Sequence, residues 1–183
     1  MNKNDLVKQI NTVINAKRVY RNTATDFVIK NDELFPFLLE LVFENQNRIN
    51  IKSAWVLELV CQKNIVLLKN HLNYFINNLN RITDESALRP ISKVCSFIAN
   101  AYQNNKFKLT NSQKENIIET NFDWVIANHK IATQVFAMDT LFILGKEYDW
   151  VHTELQLILE KNASTGSPGY QSHAKKILHK LNS

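Results

Sequence analysis

Lys52-Ser53-Ala54-Trp55-Val56-Leu57 lies inside a run, Asn50 to Gln62, that is apolar around most of a helix's circumference. Ile51, Ala54, Trp55, Val56, Leu57, Leu59, Val60 and Cys61 leave no broad polar face. Such a segment predicts a helix sandwiched between neighbours. Segments of the same kind follow at Ser92-Lys93-Val94-Cys95-Ser96-Phe97, Val135-Phe136-Ala137-Met138-Asp139-Thr140 and Ser172-His173-Ala174-Lys175-Lys176-Ile177. Setting Ala54, Lys93, Ala137 and Ala174 in register gives steps of 39, 44 and 37 residues. Helical-hairpin repeats fall in that range.

Each of these segments is preceded by another helical pattern. Asp5 to Ala16 places Leu6, Ile10, Val13 and Ile14 on one face, and Asn22 to Lys30 forms a weaker helix. Asp32 is placed to cap a helix from Glu33 to Glu44, with Pro36 in the first turn, where a missing N–H is tolerated. Ile65 to Leu79 is amphipathic through Leu68, Leu72, Phe75, Ile76 and Leu79. After the break Thr83 to Ser86, the next helix carries Pro90 near its start and predicts either a late beginning or a kink. Thr110 and Gln113 have capping-box spacing ahead of a helix to Ala127. A further helix, Lys130 to Leu144, stops at Gly145, the residue favoured for a left-handed helix end. Asp149 is placed to cap Trp150 to Lys161, and Ser167-Pro168 opens the last helix, to Leu181. The reading gives ten helices in five hairpins. One hairpin cannot bury both of its apolar faces; a stacked row can.

Composition agrees with an all-α chain. Among 183 residues there are only 3 Gly and 3 Pro, too few for the tight turns of a sheet-rich fold. The 45% hydrophobic and 21% charged content is that of a folded domain, expected to span 1–183. Cys61 and Cys95 sit on apolar faces without a C-x-x-C spacing and read as reduced, buried thiols. The first ten residues lack a signal-peptide core, and no run approaches the ~18 apolar residues of a membrane span. The expectation is a cytoplasmic protein with no membrane contact.

The pattern resembles a HEAT/armadillo-type repeat protein, of the divergent kind found in small bacterial HEAT-like proteins. The resemblance is carried by Ser53-Ala54-Trp55-Val56-Leu57-Glu58, by Leu88-Arg89-Pro90-Ile91-Ser92-Lys93-Val94-Cys95, and by Leu144-Gly145-Lys146-Glu147-Tyr148 with Leu155 to Asn162. It implies a right-handed α-α superhelix whose second helices line a concave face. Proteins of this kind include scaffolds and, more distantly, HEAT-like DNA alkylation repair glycosylases. The latter use an Asp beside Trp and Arg residues in the concave groove. Asp139 stands in a second helix, but no Trp lies near it in sequence, so that catalytic set does not carry over.

Lys52, Arg89, Lys93, Lys130, Lys175 and Lys176 recur on the second helices, and with Asp139 they are the candidate binding residues of a concave face. Glu58, set among Ile51, Ala54, Trp55 and Cys61, requires a partner, because an unpaired buried carboxylate is costly. Arg89 is the natural one, giving an inter-repeat ion pair. The histidines have no metal-ligand spacing, and no Walker loop, G-x-S-x-G or G-x-G-x-x-G occurs. No metal, cofactor or catalytic set is expected. Two functions lead: a non-catalytic HEAT-like scaffold for a protein or peptide on its concave face, and a DNA- or RNA-binding protein related to the HEAT-like alkylbase DNA glycosylases, for which the net charge of +5 is suited.

Overall fold

The computed structural model describes residues 1–44, 48–127 and 129–182. Among these residues there are ten α-helices and no strand. They are α1 (Lys3–Asn11), α2 (Arg18–Lys30), α3 (Phe35–Phe43), α4 (Ile49–Lys63), α5 (Leu72–Asn77), α6 (Glu85–Gln103), α7 (Asn111–Ile126), α8 (Ile131–Leu144), α9 (Asp149–Asn162) and α10 (Pro168–Leu181). The second helices of the five hairpins, α2, α4, α6, α8 and α10, each pack on the next in one unbroken row. Of the first helices, α1 lies on α2 and α4, α3 on α4, α7 on α8, and α9 on α8 and α10, whereas α5 packs on α7 and it is the segment before it, Ile65–His71, that touches α6. The chain is an all-α helical repeat solenoid.

The row is held by apolar burial. α6 packs between α4 and α8, and its Leu88, Ile91, Val94, Cys95 and Ile98 are buried along with the small residues Ser92 and Ala99. Each such Leu or Ile contributes about 1.5–3 kcal/mol of transfer free energy relative to exposure, before chain entropy is set against it.

Pro90 is accommodated inside α6. Asp84 Oδ1 accepts the Ser86 N–H at 2.7 Å, so the helix starts at Glu85, ahead of the proline, and not late. Lacking an N–H, Pro90 leaves the carbonyl four residues earlier, that of Ser86, without its helical donor. Trp55 Nε1 on α4 donates to that carbonyl at 3.0 Å.

Several local expectations are corrected. The first helix ends at Asn11 rather than Ala16. The Thr12 hydroxyl turns back on Gln9 O at 2.7 Å and Lys52 Nζ donates to Asn11 O, which closes the helix end. Val13 is buried but Ile14 is 71% exposed. The helix expected over Ile65 to Leu79 is a 3-10 segment, Ile65–His71, followed by α5 and a further 3-10 turn, Leu79–Arg81. Ile65, Leu68, Leu72, Phe75, Ile76 and Leu79 are nonetheless buried, because a spacing of three serves a 3-10 turn as well as an α-turn. Neither Asp32 nor Asp149 makes a side-chain cap: Asp32 opens a 3-10 turn and Asp149 is the first residue of α9. The Thr110–Gln113 capping box and the Ser167 cap on Tyr170 N are formed.

Gly145 is right-handed, with φ −63°, so conformation does not require glycine there. Space does. A Cβ would collide with the His152 ring. That ring is fixed by its own contacts, stacked on Phe142 at 5.5 Å and with Nε2 2.9 Å from Phe142 O.

Candidate functional site

The best-defined polar constellation lies in the second-helix row, where α2, α4, α6 and α8 meet. Its centre is Glu58, 2% exposed. Helical periodicity sets Glu58 on α4 toward α2 and α6, and three cations reach it. Arg89 Nη2 donates to Oε2 at 2.8 Å, Arg21 Nη1 to the same oxygen at 3.0 Å, and Lys93 Nζ to Oε1 at 2.9 Å. Arg21 also donates to Trp55 O at 3.3 Å, which fixes its guanidinium on the backbone of α4. Three cations against one carboxylate leave an excess of two positive charges.

The cations differ in exposure. Arg21 is buried, and its Nε has no partner among the described residues. Arg89 and Lys93 are half-buried, their side chains 34% and 24% exposed. They stand four residues apart on α6, on one face of the helix, and so open toward solvent together. Lys93 Nζ sits 5.6 Å from the ring centre of Phe97 on its own helix and 5.5 Å from that of Phe136 on α8. Two aromatic faces thus hold the ammonium by cation–π attraction.

The other candidates are distributed differently. Lys52 Nζ donates to Asn11 O at 3.2 Å, closing α1. Lys130, at the start of α8, is exposed, and its backbone N–H donates to Glu85 Oε2 at 3.2 Å. Glu85 also accepts from His129. Burial alone would raise the Glu85 carboxyl, but these bonds outweigh it and hold it below its ordinary value. Asp139 Oδ1 lies 2.9 Å from His173 Nε2, a link from α8 to α10. Lys175 and Lys176 are exposed on α10. The structure therefore gathers Arg89 and Lys93 on Glu58 and ties Lys52 and Asp139 elsewhere.

Two features of the cluster were not read from the sequence. Arg21 occupies the buried stripe of α2 with Ala24, Thr25 and Val28, and an arginine in such a stripe is the available signal for a buried partner. Phe97 and Phe136 read as ordinary core residues until the lysine is seen over them.

Cys61 and Cys95 are free and buried. Burial pushes the Cys61 thiol up, and the Cys95 thiol up to about 12. Thiols so placed are protonated at neutral pH and are poor nucleophiles. Among the described residues, no group of three His, Cys, Asp or Glu converges on a common point, and no helix is long and apolar enough to cross a membrane.

Stacked helical hairpins with a continuous row of second helices define an α-solenoid repeat protein. The family model of the HEAT repeat domain matches residues 6–181, and the chain belongs to that family. No curated protein and no solved structure matches it.

Proposed function

We propose that this chain is a non-catalytic HEAT-repeat scaffold that binds a protein or peptide partner along the solvent face of the second-helix row. The observation that supports this reading most directly is the Arg89–Lys93 pair. It is half-buried and pre-positioned by Glu58, with aromatic rings against the Lys93 ammonium, which is how a recognition surface is kept rigid before binding. Extended curved faces of helical repeats suit long ligands. The second-helix side is the natural concave side of such an array, with Lys130, Asp139 and Lys175 further along it.

Nucleic acid is the alternative, supported by the net charge of +5. Against it, Asp139 keeps a partly exposed carboxylate on α8 within the same row.

Photo-crosslinking residues placed at exposed positions of each layer test the reading. Gln62, Asn100 and Lys175 serve for the second-helix row, and Glu119 and Leu157 for the first helices. In extracts of the source cell, the second-helix positions should capture a small, reproducible set of proteins, and the first-helix positions should not. Capture from the first helices alone, or base-excision turnover on alkylated DNA, refutes it. A gel shift with duplex DNA that weakens steeply as salt rises decides for the alternative.

A further inference from the structure

The Arg89–Lys93 site has a shape as well as a charge. Arg89, Lys93 and Phe97 stand four residues apart along α6, which places them in a line with steps of ~6 Å along the helix axis. In an extended peptide, alternate side chains on one face repeat at ~6.6 Å. Beyond Lys93 the line runs into a groove of about 330 Å³ between α4 and α6, whose lining includes the apolar Ile65, Phe97 and Ala101 and the polar Gln62, Asn100 and Lys106. Two cations with remaining N–H donors are thus followed, at the spacing of a strand, by a partly apolar groove.

We propose that this ridge docks an extended acidic segment of the protein partner, of the pattern acidic-x-acidic-x-apolar. One carboxylate lies on Arg89, the next on Lys93, and the apolar side chain enters the groove beside Phe97. Charge complementarity selects this occupant. Two carboxylates neutralise the excess of two positive charges left by Glu58 under Arg21, Arg89 and Lys93. Both cations lose little freedom on binding, because Glu58 holds Arg89, and Glu58 with the rings of Phe97 and Phe136 holds Lys93. Arg89 still has guanidinium donors for a carboxylate, the group it pairs with most specifically.

A nucleic-acid strand fits the ridge less well. A phosphodiester backbone needs a continuing line of open cations. Here the neighbouring Lys52 is drawn toward the end of α1 by its hydrogen bond to Asn11 O. Asp139, one turn from Phe136 on α8, keeps a carboxylate on the adjacent helix with its side chain 33% exposed. A polyanion that runs across the row adds to that charge, whereas a short acidic segment lying along α6 has its carboxylates matched by Arg89 and Lys93.

The inference rests on the scaffold reading, and the experiment separates the two. Isotope-labelled protein is titrated by NMR with two synthetic peptides, Ser-Glu-Ser-Glu-Ser-Leu-Ser and Ser-Gln-Ser-Gln-Ser-Leu-Ser. The acidic peptide should shift amides of α6 from Arg89 to Asn100 and bind at least about tenfold more tightly than its amide counterpart, a difference of ~1.4 kcal/mol. Arg89→Ala and Lys93→Ala should each remove most of that preference, while Phe97→Ala weakens both peptides alike. Arg89→Ala leaves Glu58 paired with Arg21 and Lys93, so its fold is retained, and the two-peptide comparison needs no variant at all. Equal binding of the two peptides overturns the inference. So do shifts centred on Lys175 to Lys180, or displacement of the acidic peptide by a single-stranded oligonucleotide of equal charge. If the two peptides bind alike while the second-helix crosslinks persist, the acidic-segment inference falls and the scaffold reading stands.

Discussion

Lys114 enters α7 at a position that is 8% exposed, where an ammonium needs compensation. Glu147 Oε2 accepts from it at 2.7 Å, and the Tyr102 hydroxyl donates to the other oxygen at 2.7 Å. The rings of Tyr102 and Tyr148 flank the ammonium at 5.5 and 5.3 Å. The hydrogen bond from Lys114, seconded by Tyr102, holds the Glu147 carboxyl below its ordinary 4.5, and the same bond raises Lys114 above its ordinary 10.5. A carboxyl depressed in the folded state adds stability above its unfolded value, and that stability is lost as pH falls through the folded one. Thermal melts between about pH 6 and pH 3 should therefore show Glu147→Gln losing less stability on acidification than the unaltered protein. Glu147 is nearly half exposed, so solvent screening keeps its contribution at neutral pH below about 1 kcal/mol. Parallel melting curves against pH would show that the carboxyl's environment does not change on folding. The same scale separates what was legible in the candidate site from what was not. Glu58 in an apolar run announces that it needs a cation, and Arg89 lies a hairpin away. Arg21, the other buried member, and the link from Asp139 to His173 depend on which turn of one helix faces which turn of the next. Repeat steps of 39, 44 and 37 residues are too uneven to fix that register.

At the scale of the element, α6 shows how a flaw in one helix is repaired by its neighbour. Pro90 removes a donor, and the Trp55 indole replaces it at Ser86 O. A half-buried carbonyl left without a donor costs about 1–2 kcal/mol. Trp55→Phe should cost that much in addition to its lost volume. Pro90→Ala restores a backbone N–H to Ser86 O, so in that background Trp55→Phe should cost less. Volume loss is common to both arms and cancels in the double-mutant cycle, leaving a coupling of about 1 kcal/mol measurable by urea denaturation. Additive losses would mean that the indole and the proline act independently. The elements were largely legible: periodicity gave the ten helices of the described residues, most of the buried faces, and the pairing of α1 with α2, α3 with α4, α7 with α8 and α9 with α10. It missed the 3-10 segment at Ile65–His71, because residues three apart line up in both helix types. It also gave Gly145 a left-handed role. The actual demand, room for the His152 ring, comes from a residue on α9 whose approach has no local signature.

At the scale of the molecule, a row of hairpins distributes stability differently from a closed globule. Each helix of the row touches its neighbours and little else, so stability is close to a sum of unit and nearest-neighbour terms. α6 lies between α4 and α8, and α8 touches α6, α7, α9 and α10, whereas α1 and α10 stand at the ends of the array. Hydrogen exchange on the full chain should be slowest in α4, α6 and α8 and faster toward both ends. A substitution at one end should then act locally. Ile177 on α10 is 1% exposed, and Ile177→Ala costs about 2–5 kcal/mol at its own interface. Exchange should accelerate in α9 and α10, less in α8, and hardly at all in α2 and α4. Uniform acceleration along the chain would mean that the hairpins unfold as one cooperative unit. The distinction bears on binding: with end effects confined to the ends, the central ridge of Arg89, Lys93 and Phe97 stays rigid while α10 opens. A partner held at α6 would then keep its grip through fluctuations of the terminal hairpin.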